Sequence, residues 1–379
     1  MTSDLVYLDH NATTPLLPEV VDAMLPYLRE HFGNPSSSHG FGLRARNAVA
    51  HAREQVAALL GGEPEGVIFT SGGTEASNLA IVGVAESRDR RTGVVTTAIE
   101  HPATARPCAW LGSHGRRVTR LGVDREGRVN LDEARAAIDG ETALVTIMHS
   151  NNETGVLQPV AEVARLAHAS GAVVHTDAAQ SLGKVPVRVL DLEVDLVTVA
   201  GHKLYAPKGV GALYLKQGTP LLPVLLGAGQ EHGLRPGTEN VASIVGLGAA
   251  CEAVGRDLEA AAGRMRRLRD RLWDELTAAV PGLALNGHRE HRLPNTLSVR
   301  FPRASGAAVL AGAPDVAAST GSACHEGLET APAVILAMGI EPEDALGTVR
   351  LTLGRSTTED EVLRAVGSLA RSWRRLVQR

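Results

Sequence analysis

Short apolar runs rich in β-branched residues alternate along this chain with longer amphipathic runs rich in Ala, Leu and Arg. The short runs are "GVIF" (66–69), "GVVTTAI" (93–99), "ALVTIM" (143–148), "AVVHT" (172–176), "DLVTVA" (195–200) and "GALYL" (211–215). They predict strands, and stretches such as "PVAEVARLAHAS" (159–170) predict the helices between them. The alternation predicts an α/β fold with a largely parallel sheet. A single long helix is expected from about Val241 to Ala279. Beyond it the pattern changes: strands at "NTLSVRF" (295–301) and "VRLTL" (349–353), a small-residue loop between them, and a closing helix from about Thr358. A domain boundary is expected inside the long helix near 255. It separates a large unit, 13–255, from a smaller one built of 1–12 and 256–379.

Composition narrows the classes. The chain has 379 residues, with 42 acidic and 38 basic side chains and a net charge of -4. That balance carries no basic footprint for DNA or an anionic membrane. No apolar run reaches the roughly 18 residues that span a bilayer. The start, "MTSDLVYLDHN", lacks a basic segment followed by an apolar one, so no secretory signal is expected. Three cysteines (Cys108, Cys251, Cys324) make no disulfide framework, and no C-x-x-C pair suggests zinc. A cytoplasmic setting is expected.

The chemistry collects after the strands. Glu100-His101 follows the first of four, "HSNNETG" with Asn152 the second, Asp177 and Gln180 the third, and Gly201-His202-Lys203 the fourth. In an open parallel sheet these carboxyl ends share one edge, where ligands bind. A lone Asp after a strand is most often a cap or turn residue; convergence of His101, Asn152, Asp177, Gln180 and Lys203 says more. "TSGGTEASNLAI" (70–81) adds a Gly turn and a helix start near Thr74, where free N–H groups suit a phosphate. No G-x-G-x-x-G follows a strand, and "GKV" (183–185) lacks the Ser or Thr of a P-loop.

Lysine is scarce: among 38 basic residues only Lys184, Lys203, Lys208 and Lys216 are Lys. Guanidinium cannot serve as an amine nucleophile, so a retained Lys at the sheet edge points to amine chemistry. A phosphate cradle, an Asp, a polarising amide, a stacking ring and a Lys together describe a pyridoxal phosphate site, which needs a Lys for the Schiff base and a carboxylate to keep the ring nitrogen protonated; of the four lysines Lys203 sits closest to a strand's carboxyl end.

The chain resembles the NifS/IscS-like cysteine desulfurases of the class V PLP-dependent aminotransferase superfamily. The resemblance runs nearly end to end: "YLDHNATTP" (7–15), "FGNPSS" (32–37), "FTSGGTEASNLAI" (69–81), "IEHPA" (99–103), "IMHSNNETGVLQP" (147–159), "HTDAAQSLGK" (175–184), "GHKLYAPKGVGALY" (201–214), "LRPGTEN" (234–240), "STGSAC" (319–324) and "VRLTLGR" (349–355). "NATTPLLPEV", "GGTEASN" and "RPGTEN" are similar to the selenocysteine lyase branch. The resemblance implies fold type I: a large domain with a mostly parallel seven-stranded sheet between helices, plus a smaller α+β C-terminal domain.

It also implies roles. Lys203 carries pyridoxal 5'-phosphate and then moves protons. His101 stacks on the ring and is an acid/base group. Asp177 pairs with the ring nitrogen, and Gln180 and Asn152 lie near the ring hydroxyl. Gly73, Thr74 and His202 hold the phosphate, and Thr238 reaches the phosphate of the other subunit of a homodimer. Arg350, Asn34 and Asn152 hold the substrate carboxylate. Cys324 attacks the sulfur of bound L-cysteine, leaves L-alanine and carries a persulfide to an acceptor protein, with L-selenocysteine as the alternative substrate. Iron–sulfur cluster assembly, tRNA thiolation and other sulfur pathways stay open as destinations. The chain departs from the family pattern at Ala200, where a Ser often donates to the phosphate, at Pro102, in "HEGLETAP" after Cys324, and in ending at Arg379 without a longer tail.

On the residues alone, Cys324 sits in a small, polar loop context suited to a thiol that meets both substrate and acceptor, whereas Cys108 and Cys251 read as buried. An ordinary PLP aminotransferase or decarboxylase on the same fold needs no such thiol. A non-catalytic sulfur carrier would not need Lys203, Asp177 and His101 together.

Overall fold

Seven strands form the central sheet of the computed structural model, which describes residues 5–88, 90–321 and 330–378. Across the sheet they run Val67–Thr70, Gly211–Leu215, Leu196–Ala200, Val173–Asp177, Thr142–Met148, Gly93–Thr97 and Arg117–Leu121. All pairings are parallel except those of Gly211–Leu215, which is antiparallel to both neighbours. Adjacent residues of each inner strand enter different cores. Phe69, Val95, Val145, Val174 and Val197 pack with the helices Gly40–Leu60, Val160–Ala169 and Val241–Arg256. Ile68, Val94, Leu144, Val173 and Leu196 pack on the other face with Gly73–Ser87 and Pro102–Ser113. Burial on both faces is why these strands read as unbroken apolar runs.

Arg117–Leu121 was not expected from the sequence. It is an edge strand, "RVTRL", with Arg117 and Arg120 exposed and only Leu121 buried. Charge on an exposed edge blocks pairing with other chains, and it also erases the apolar run that marks a strand.

The expected long helix is two helices, Val241–Arg256 and Leu258–Ala279, broken at Asp257 (φ -136°, ψ 27°). The two halves serve different cores. The first buries Ile244, Leu247, Ala250, Cys251 and Val254 against the sheet layer. The second buries one stripe, Ala261, Met265, Leu272 and Leu276. Leu272 and Leu276 belong to another core, with Leu297, Val299, Leu351, Leu369 and Trp373. That core lies on a three-stranded antiparallel sheet in the order Thr348–Thr352, Thr296–Arg300, Ala284–Leu285. Composition alone cannot register such a change of partner. The closing helix, Glu359–Val377, starts where the sequence predicts, because Thr358 and Glu361 form a reciprocal cap. The N-terminal strand Val6–Tyr7 joins this second region by pairing with Val316–Ala317. Among the described residues no helix is long and apolar enough to cross a membrane.

Candidate functional site

The carboxyl ends of the inner strands meet in register: Met148 pairs with Asp177, and Asp177 with Thr198. At that edge lies a cleft of about 390 Å³. It brings together Gly73, Thr74, His101, Asn152, Asp177, Gln180, His202, Lys203 and Arg350, each singled out in the sequence. A wider open groove of about 1030 Å³, lined by Glu54, Arg188, Glu252 and Arg256, holds none of them. Convergence of titratable groups marks the smaller cleft as the site.

One wall is an anion cradle. Gly72, at φ 152°, turns the chain out of Val67–Thr70, and the helix starts at Gly73 with N–H groups free of capping side chains. The turn must be thin. A Cβ on Gly211 would lie 2.7 Å from Gly72 Cα, and one on Gly73 would lie 3.1 Å from Ala200 Cβ. Thr74 is exposed at the helix start. His202 closes this wall; its Nδ1 lies 3.3 Å from Thr13 Oγ1, and burial with nearby Lys203 pulls its pKa down to about 4.

His101 caps the helix Pro102–Ser113. Its Nδ1 accepts the Ala103 N–H at 3.1 Å, which leaves the proton of the neutral ring on Nε2. Burial pushes its pKa below the usual imidazole value, Asp177 opposes that and Lys203 adds to it. Asp177 is buried, with Oδ1 accepting from the Ala179 N–H at 2.9 Å. Burial raises its pKa, against the pull of His101 and Lys203. Beneath them Glu100 accepts from Thr97 Oγ1 (2.7 Å) and Met148 N (2.9 Å). Full burial pushes this carboxyl up to about 8, so it stands as a neutral acid at neutral pH.

Lys203 ends a short 3-10 turn after Leu196–Ala200. Its Nζ donates to the backbone carbonyls of Asn11 and Ala12. Burial and the Arg350 charge lower its pKa to about 8, with Asp9 and Asp177 opposing. An amine so placed is partly neutral near physiological pH, as a nucleophile requires.

Asn11 is the hub that the sequence reading left without a role. Its carbonyl accepts from Lys203 Nζ and Gln180 Nε2, its N–H donates to Thr352 Oγ1 at 3.0 Å, and its side chain bonds Thr296 and Asn295. Its contribution is backbone geometry, which no residue type announces; only its position inside "YLDHNATTP" drew notice. Arg350 donates from Nη1 to Asn152 O at 2.9 Å and from Nη2 to Asp9 Oδ1 at 2.9 Å. Asn34 is exposed, its Oδ1 taken by the Ser36 N–H, and Thr238 is exposed too; neither lines this chain's cleft. Cys324 lies outside the described residues, although Gly321, just before them, lines the cleft.

Residues 6–364 match the aminotransferase class-V family. The chain belongs to that family. Within it, the "Cysteine desulfurase" of Trichormus azollae is 44% identical over 364 residues, covering 96% of this chain and 91% of its own. A solved "NIFS-LIKE PROTEIN" superposes with a TM-score of 0.91 at 38% identity, covering 97% of this chain and 98% of its own. "SspA in complex with cysteine" superposes at 0.82 with 33% identity, covering 93% and 99%. The expected resemblance to NifS-like cysteine desulfurases is borne out, as is the expected α/β architecture.

Proposed function

We infer that the chain is a cysteine desulfurase that works with pyridoxal 5'-phosphate. The observation that carries this reading is Lys203 Nζ. It lies at the sheet's carboxyl edge, in one cleft with Asp177, His101 and an anion cradle. The residues fit the cofactor. The thin Gly72-Gly73 turn and helix start suit a phosphate, Asp177 suits a pyridinium nitrogen, and the His101 ring suits a face to stack on. His202 stands beside the phosphate cradle. Gln180 and Asn152 stand where a ring hydroxyl and a substrate carboxylate are expected.

When bound, the cofactor supplies an aldehyde that condenses with amines and a ring that withdraws electrons from the attached substrate. This chain's own groups do the rest. Lys203, with a pKa near 8, exchanges protons at Nζ. His101 holds a proton at Nε2. Arg350 offers its guanidinium fork to the carboxylate of L-cysteine, a geometry suited to bidentate binding. The thiol of Cys324 takes the sulfur: the substrate C–S bond breaks and an S–S bond forms on Cys324. The former thiol proton ends on carbon, so L-alanine and a persulfide balance L-cysteine and a thiol. Among the named relatives the desulfurase name favours L-cysteine over L-selenocysteine as substrate.

A homodimer fits this reading. Thr238 is exposed and away from its own cleft, free to reach a partner's phosphate site, and large apolar side chains such as Phe32 and Leu226 (87% exposed) need cover. The persulfide is then passed to an acceptor protein, in a reducing, cytoplasmic setting consistent with buried free thiols at Cys108 and Cys251. The experiment is to incubate the purified chain and cofactor with L-cysteine, and separately with L-selenocysteine, and to assay alanine, sulfide and selenide. Alanine formed one-for-one with sulfur under reductant supports the reading; keto-acid formation without sulfur release overturns it.

A further inference from the structure

Lys184 is a buried lysine to which the proposed chemistry gives no task. It is 3% exposed, and among the described residues no carboxylate pairs with it. Among the described residues its Nζ bonds Gln180 alone, donating to the backbone oxygen at 2.9 Å and to Oε1 at 3.3 Å. The other end of the same amide, Nε2, donates to Asn11 O at 2.9 Å. That carbonyl is also the seat of Lys203 Nζ. Two lysines thus meet through one amide and one carbonyl.

The partners fix which way the amide points. An ammonium only donates, so it must face the amide oxygen; a backbone carbonyl only accepts, so it must face the amide nitrogen. Turning the Gln180 amide over would set NH₂ against NH₃⁺ and one carbonyl oxygen against another. We propose that Lys184 is a positioning residue: from behind the cleft it holds the Gln180 amide with nitrogen on the Asn11 carbonyl, and so governs how firmly that carbonyl holds Lys203. The proposal rests on reading Lys203 as the amine that carries the cofactor. It adds that the state of this amine is set by a second lysine through Gln180. Burying an unpaired ammonium is unfavourable, and a purely structural position would be better filled by an apolar side chain. The groups facing Lys184 are Lys203 and Arg350, with His10 and His202 nearby, and the two cations, like burial, disfavour its charge.

The test reads Lys203 directly in the full chain freed of cofactor. The pH dependence of Lys203 acetylation by acetic anhydride is followed by peptide mapping, beside a thermal melt of each variant. In Lys184→Met the amide loses its anchor and Gln180 competes less for Asn11 O. Freed from that competition the Asn11 carbonyl favours protonated Lys203, so its midpoint rises by about half a pH unit or more. Lys184→Gln keeps a donor for Gln180 but no charge and stays near wild type. Gln180→Met leaves Lys184 in place and shifts the midpoint as Lys184→Met does. An unchanged midpoint in Lys184→Met or in Gln180→Met overturns the proposal. A shift in Lys184→Gln as large as in Lys184→Met also overturns it, because Lys184 would then act by charge alone. If Lys184→Met does not fold, the other two variants still decide. Failure of the cofactor to link at Lys203 would overturn the proposed function and leave this titration readable.

Discussion

Arg350 and Asp9 form an ion pair at 2.9 Å, with the guanidinium buried and the carboxylate reaching in from the N-terminal segment. The pair holds Arg350 from one side while Asn152 O holds it from the other. In the proposed reading the fork that receives the substrate carboxylate is therefore set before substrate arrives, and pre-set geometry is what spares ordering entropy on binding.

Asp9→Asn keeps the shape and removes the charge. We expect KM for L-cysteine to rise about tenfold, since a buried charge-assisted hydrogen bond contributes about 1.5 kcal/mol or more, with a smaller change in kcat. The Lys203 midpoint should fall, because Asp9 is one of the charges that hold it up. An unchanged KM and an unchanged midpoint together would show that Asp9 is only a surface partner.

Lys203 should titrate near 8. Below that pH the rate of covalent cofactor uptake by cofactor-free protein should drop about tenfold per unit, and above it the rate should level off, since only the neutral amine attacks. Lys203→Ala should lose the borohydride-fixed linkage. Trapping of the cofactor on Lys184, Lys208 or Lys216 would move the assignment.

Cys324→Ala should bind cofactor and substrate as the parent does, yet release no alanine or sulfide from L-cysteine. Selenium leaves more readily, so some turnover of L-selenocysteine is expected to survive. Limited alkylation should label Cys324 alone. Cys108 and Cys251 are buried; their thiols are pushed up, Cys108 to about 12. Label on either of those, with desulfurase activity intact in Cys324→Ala, would refute the thiol step.

His175 lies buried between strands, bonded to Thr146 Oγ1 at 2.8 Å and Thr198 Oγ1 at 2.9 Å, and Thr198 in turn meets Ser77 of the cradle helix. Burial lowers its pKa to about 3 from 6.5. Its folded value is the lower one, so between about 6.5 and 3 the unfolded chain binds more protons and stability is lost as pH falls. Over two units this group accounts for roughly 2 kcal/mol. His175→Gln keeps hydrogen-bonding capacity without the titration. Urea unfolding from pH 6.5 to 4.5 should show the parent losing about that much more than the variant; parallel losses would dismiss His175 as the acid-sensitive group.

The apolar strands were legible because burial on two faces writes the same letters at every position, as in "ALVTIM". The polar residues after those strands were legible because a parallel sheet gathers its carboxyl ends, which put Asp177, Gln180 and Lys203 at one edge. Arg117–Leu121 was not legible, since an edge strand is selected for charge. Nor was the break at Asp257, where a helix changes partners within a run rich in Ala, Leu and Arg and only Gly255 stands nearby. Asn11 escaped because it acts through a carbonyl common to every residue. Lys184 reads in the sequence only as a rival to Lys203; its burial against Gln180 follows a left-handed turn at Gly183 (φ 76°) that the sequence does not register.

Asn11 leaves the ribosome among the first residues, and its partners are among the last: Thr296, Asn295 and Thr352 stand 285, 284 and 341 positions later. Contacts of such sequence separation form late. During synthesis the large sheet can assemble around Lys203 well before Thr352 exists; the Asn11 segment is then held by Asn152, Gln180 and His202, without the moorings that Asn295, Thr296 and Thr352 add later. A chain cut before Thr348 lacks the Thr352 mooring of Asn11, so it should acetylate at Lys203 with a midpoint unlike that of the full protein.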